Sequence, residues 1–179
     1  MSDNGDKDGR RTEVRPRSAA RLAAVQAIYE MELADRGADA VLRDFSDRRW
    51  NLLAADRTAL ESVSKMDPHT MFLGELVRGV AERNADIEGI ISPALSNDWP
   101  LERLEAVLRA ILKVGVFELF AHAEVPARVV VSEYVDIAHA FFEGKETGLV
   151  NAVLDRIARV LRPDEIGPGA EDKGDDPSG

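Results

Sequence analysis

The sequence predicts an all-α protein, a compact helical bundle of about seven helices. Three observations carry that expectation. Apolar residues recur at helical spacing through most of the chain. Ala and Leu are abundant while aromatic residues make up only 6%, a balance that favours helix over sheet. Ser, Pro and Gly fall where such helices would start and stop.

The first helix is expected over 18–34, with Ser18 as its N-cap and Leu22, Val25, Ile28, Tyr29 and Leu33 as its apolar stripe. Arg21, Gln26 and Glu30 project elsewhere. A shorter helix follows over 38–45, and Leu52, Leu53, Leu60 and Val63 suggest one more within 46–66. Asp67-Pro68 opens the next, with Met71, Phe72, Leu76, Val77 and Val80 inward. Another starts near Asn84, uses Ile87, Ile90 and Ile91, and is interrupted at Pro93. Trp99-Pro100 repeats the start signal for a central helix over 101–120, apolar on most of its circumference. Gly115 within it points to close packing. Pro126 opens a helix with Val131, Tyr134, Val135, Ala138 and Phe142 inward. The last spans 147–162, with Val150, Val153, Leu154, Ile157 and Leu161 buried, and Pro163 stops it. Residues 1–16 read as a flexible basic arm, 17–162 as one all-helical domain, and 163–179 as a disordered acidic tail.

Composition excludes several function classes. At 179 residues, 45% hydrophobic and 31% charged, the chain can bury the core of one domain. It has no cysteine, hence no disulfide, thiol nucleophile, sulfur-ligated zinc or iron–sulfur cluster. No uncharged apolar run approaches the ~18–20 residues of a membrane span, and the first residues lack the apolar core of a secretory signal. A cytoplasmic location is expected. His69, His122 and His139 form no H-x-x-x-H or H-E-x-x-H pair, and no phosphate-binding glycine loop or nucleophile elbow occurs. Ser132, Glu133 and Asp136, like Glu102 with Glu105 and Asp86 with Glu88, read as solvated helix faces. The sequence therefore predicts no catalytic residues, no metal and no cofactor.

The net charge of −10 is unevenly spread. Glu171, Asp172, Asp175 and Asp176 crowd the tail against Lys173, whereas Arg10, Arg11, Arg15, Arg17 and Arg21 lead into the first helix with only Glu13 opposing them. Local fields steer polyanions more than totals do. An arginine run ending at a helix N-terminus suits phosphate, because backbone N–H groups point the same way. Lys145 and Arg128 are placed to extend such a patch, though each alone is an ordinary surface charge.

The residues also carry a family resemblance. Arg17-Ser-Ala-Ala-Arg21-Leu-Ala-Ala-Val25-Gln-Ala-Ile-Tyr29, the segment 108–119, the run 125–138, and Leu149-Val-Asn-Ala-Val-Leu-Asp155 occur in order. They resemble successive helices of the NusB family of bacterial antitermination factors, over about residues 15–163. The resemblance implies an all-α, RNA-binding, non-enzymatic protein. It also implies a small-subunit ribosomal protein, NusE, as partner, boxA single-stranded RNA of ribosomal RNA leaders as ligand, and an antitermination complex with RNA polymerase. Arg17 and Arg21 fall on basic residues of the family's arm. Tyr29 falls on its first-helix tyrosine, a partner-contact position, with Gln26 and Glu30 beside it. Asn151 is a candidate for an RNA contact or, equally, a structural helix bond. Leu149 stands where the family often has Phe, which removes a base-stacking platform, and Lys145 lies where some relatives carry an acid. The stretch 46–66 is longer than the family leads one to expect. Rival readings are a protein-only helical adaptor, a stand-alone relative of the RNA-binding domain of ribosomal RNA methyltransferases, and a small hydrolase with a dispersed site.

Overall fold

The computed structural model describes residues 16–54 and 68–167, with side chains placed at 17–46 and 69–167. These residues form helices α1 (Pro16–Ala34), α2 (Ala38–Ala54), α3 (Pro68–Glu82), α4 (Asn84–Ile91), α5 (Ala106–Ala121), α6 (Ala127–Phe141), α7 (Lys145–Leu161) and α8 (Pro163–Ile166). Short 3-10 turns at Ser92–Ala94 and Leu101–Arg103 link α4 to α5. No strand occurs among the described residues.

α5 is the axis of the bundle. Leu108 and every residue from Ala110 to Leu119 are buried, and α1, α3, α4, α6 and α7 all pack on it. A helix apolar nearly all round has no face left for water, so its neighbours must enclose it. The enclosure works through small residues. A Cβ on Gly115 would sit 3.1 Å from a Leu154 methyl and 3.2 Å from the Tyr134 ring, the close packing its sequence position suggested. Gly79 on α3 is tighter still, since a Cβ there would come within 1.9 Å of the Phe117 ring. Gly79→Ala should therefore cost about 1–3 kcal/mol by overpacking, read as a lower urea midpoint with an unchanged m-value.

Several boundaries differ from the expected ones for physical reasons. α1 starts at Pro16, a residue suited to a first helical turn, so Ser18 lies inside the helix and is not its N-cap. α2 runs on to Ala54 and absorbs the start of the ambiguous stretch; the further helix suggested by Leu60 and Val63 lies outside the described residues. The central helix starts at Ala106, not residue 101. Leu104 and Glu105 are extended, with ψ of 145° and 143°, and Leu101 and Leu104 plug the core from a turn. Their spacing to Leu108 mimics a helical stripe. Met71 and Leu33 were expected inward but are 51% and 63% exposed. Phe72 takes the core position, and its neighbour points about 100° away round the helix.

The chain beyond α7 does not leave the bundle at Pro163. It turns into α8, and Glu165 accepts a hydrogen bond at 2.7 Å from the backbone N–H of Ala127, closing the exposed N-terminus of α6. Residues 163–167, expected as the start of a disordered tail, are thus part of the packed domain.

Candidate nucleic-acid and partner interface

The expected site residues fall at two ends of the bundle. α1 and α6 run side by side in the same direction: Arg21 meets Glu133 near their starts, and Tyr29 and Leu33 share a groove with Phe141 at their far ends. Arg17 and Arg128 are both exposed in first turns, so they lie at the same end. Arg10, Arg11 and Arg15 lie outside the described residues, immediately upstream of it. The Arg17 guanidinium sits 4.9 Å from the Phe72 ring centre. Phe72 in turn meets the His122 ring edge-on at 5.2 Å. This lays the Arg17 guanidinium against an aromatic ring while the residue stays exposed to water. Glu124 nearby ionises below the usual carboxylate range, first through its own backbone N–H, then through His122, with the Arg17 charge contributing.

Arg21 corrects the sequence reading. It is not a free surface cation but 3% exposed. Its Nε and Nη2 donate to both oxygens of fully buried Glu118, at 2.6–3.1 Å, and Nη1 lies 3.3 Å from Glu133. Tyr134 Oη completes the network, donating to Glu118 at 2.7 Å. A charge committed to two carboxylates in a closed interior cannot also bind phosphate. Its work is to fasten α1 to α5 and α6, and so to fix where the arm leaves the fold. Burial, then the Glu118 charge, push the Tyr134 hydroxyl well above its usual range. The stability tied to this group is fully present below the unfolded tyrosine pKa of about 10 and is lost as pH rises beyond it, because only the unfolded chain releases the proton. Tyr134→Phe should therefore lower stability at pH 7 by about 1–3 kcal/mol and flatten its decline above about pH 10, as followed by urea titrations across pH.

The second end carries an apolar groove. Val25, Gln26, Tyr29, Leu33, Glu105, Ala106, Val107 and Phe141 line it. Tyr29 is 39% and Phe141 43% exposed. Exposed aromatic and aliphatic side chains gathered in one concavity are the chemistry of a protein-binding surface. Gln26 and Tyr29, both expected partner contacts, lie in it. Glu30 does not line it: its carboxylate pairs with Arg36 at 2.9 Å. The groove's α1 residues lie 8–16 residues along the helix from Arg17, roughly 12–24 Å.

Lys145 does not extend the Arg17–Arg128 patch. α7 is antiparallel to α6, since Arg162 at its end reaches the carbonyls of His122 and Val125 ahead of α6. Lys145, at the start of a 17-residue helix, is therefore about 25 Å from that end. It stands exposed near Phe141 instead, and Asn151 is exposed two turns further along α7. The sequence placed Phe72 in the core but showed neither the Arg17–Phe72–His122 contact nor the role of Arg162. A lone histidine and an arginine at a helix end give no local signal, because their partners are distant in sequence. Among the described residues no group of three or more metal-ligating side chains is gathered, and no helix is long and apolar enough to cross a membrane.

Known proteins are similar to this chain in sequence and fold. The sequence pattern of the NusB family matches residues 18–159. The transcription antitermination protein NusB of Bradyrhizobium sp. (strain BTAi1) is 47% identical over 152 residues, covering 85% of this chain and 86% of the relative. That of Caulobacter vibrioides is 44% identical over 156 residues, covering 83% of this chain and 96% of the relative. The solved structure of T. maritima NusB superposes with a TM-score of 0.66 at 25% identity, covering 85% of this chain and 96% of that one. A structure of the antitermination factors NusB and NusE in complex with double-stranded RNA gives 0.65 at 24% identity, covering 82% and 98%. With its packed core and most of its length matched, the chain belongs to the NusB family.

Proposed function

We propose that this chain is a transcription antitermination factor that binds boxA-type RNA of nascent ribosomal transcripts together with the ribosomal protein NusE, and promotes read-through by RNA polymerase. It acts by binding in the cytoplasm and catalyses no reaction. The observation that carries this reading is the separation of two surfaces along α1. At one end an arginine-rich arm meets exposed Arg17; at the other an apolar groove holds Tyr29 and Gln26. In this reading Arg10, Arg11, Arg15, Arg17 and Arg128 contact phosphates, which give affinity without sequence information. The groove receives NusE. Lys145 and Asn151, at the groove end, contact RNA that crosses from the arm toward the partner. The relatives named NusB and the complex of NusB, NusE and RNA support this assignment.

A salt series tests it. For about three to five phosphate contacts on single-stranded RNA, log K should fall against log salt with a slope of roughly −2 to −3.5. Replacing Arg15 and Arg17 with Ala should flatten the slope by about 0.7 for each contact removed. Arg21→Ala should appear as lost stability. Affinity that ignores salt and the Arg15 and Arg17 substitutions would contradict the RNA reading and favour an adaptor that binds protein alone.

A further inference from the structure

We propose that Phe120, backed by Arg83, is a stacking platform for an unpaired nucleobase of the RNA that Arg17 holds. The inference rests on the RNA-binding reading of the arm and adds to it a group that meets bases. α5 is buried from Ala110 to Leu119, and the very next residue, Phe120, is 52% exposed. The Arg83 guanidinium carbon lies over its ring, 5.1 Å from the centre. Arg83 has no carboxylate partner among the described residues, whereas Arg78 on α3 pairs with Asp39 at 2.9 Å. The ring therefore carries a guanidinium without an ion-pair partner on one face and keeps half of the residue's surface open. That pairing suits RNA. An aromatic ring takes the flat face of a base, and an arginine beside it takes a phosphate or stacks in turn.

Position links the pair to the arm. Phe72 joins the Arg17 guanidinium, 4.9 Å from its ring centre, to the His122 ring at 5.2 Å. Phe120 stands two residues before His122, so their Cα atoms are at most about 7 Å apart. A few nucleotides cross from Arg17 over His122 to Phe120. Charge along that path favours a base over the backbone. Glu75 lies 3.9 Å from His122 Nε2 and Glu124 3.1 Å from Nδ1, and both carboxylates are more than half exposed. They repel a phosphate and are indifferent to a neutral base. The strand is then held by its phosphates at Arg17 and at Arg83, with a base turned onto the ring beside Arg83. Every base has a π-face, so the platform adds affinity with little sequence preference.

The test uses the full chain with two probes. One is a labelled boxA-type single-stranded RNA. The other is an abasic strand of the same length, which keeps the phosphates and lacks the bases. Phe120→Ala should weaken RNA binding about five- to thirtyfold and leave the salt slope unchanged, because no charge is lost. Phe120→Leu, which keeps an apolar side chain, should lose most of that affinity, and Phe120→Trp should retain it. All three should bind the abasic strand as the unaltered chain does. Arg83→Ala should flatten the salt slope by about 0.7. Unchanged RNA affinity in Phe120→Ala, or an equal loss on the abasic strand, would overturn the proposal. RNA affinity that holds while affinity for NusE falls would overturn it too and assign the ring to a protein contact. Absence of salt-dependent RNA binding by the unaltered chain would instead overturn the RNA reading of the arm, and the platform with it.

Discussion

Replacing Glu118 with Ala should destabilise the fold by about 3–5 kcal/mol, the cost of leaving a buried arginine with only the longer Glu133 contact. Arg21 is 3% exposed and Glu118 fully buried. Removing the carboxylate strands three donated hydrogen bonds from Arg21 and the one from Tyr134. Arg21→Ala should cost a similar amount, and the double variant less than the sum, because the second substitution removes a charge that has already lost its main partner. Urea unfolding of the four proteins measures this directly. Strictly additive losses would mean that the pair does not act as a unit. The consequence extends beyond stability. The network is what holds the first two turns of α1 against α5 and α6, so weakening it should also raise hydrogen exchange at the N-terminal turns of α1, where the arm is anchored.

Arg162→Ala should cost about 2–4 kcal/mol, since a single guanidinium serves a whole helix end. Arg162 is 8% exposed and donates to the carbonyls of Glu118, Leu119, His122 and Val125. These are carbonyls of the last turn of α5 and of the loop that follows; those of Glu118 and His122 also accept the backbone N–H groups of His122 and Val125, whereas past a helix end the carbonyls lack intrahelical partners. A cation there also meets the negative end of the α5 dipole. Arg162→Lys should recover only part of the loss, because an ammonium cannot imitate the planar fork that spans four acceptors. Thermal unfolding of the two variants checks the magnitude and the order. Hydrogen exchange should report the largest change at residues 122–127.

The helical class and most helices were legible because the core is built from regular apolar spacing. α6 and α7 follow their Pro and Gly signals closely, and Val150, Val153, Leu154 and Ile157 are buried as their spacing predicts. Misreadings arose where a local pattern fits two structures. Leu101, Leu104 and Leu108 keep helical spacing, yet the first two pack from a turn. Arg21 sits in an arginine run at a helix start, a context that reads as surface. Its carboxylate partner is 97 residues away. A signal did exist: Glu118 is an acid amid a segment apolar all round, and an acid in that setting requires a buried cation. The apolar groove was legible only as Tyr29 and Gln26 on one helix. Phe141 and Val107 join it through packing alone.

The most direct test of the account is binding of labelled boxA-type RNA with and without the ribosomal protein NusE, for the unaltered chain and for Leu33→Glu with Phe141→Glu. Both altered residues are exposed, so the bundle should stand. NusE should make binding by the unaltered chain tighter and more selective for boxA. In the altered chain that gain should disappear while the salt slope of RNA binding alone is unchanged. NusE-enhanced binding that survives both substitutions, or RNA binding that NusE leaves unaffected in the unaltered chain, would contradict the division of labour between arm and groove.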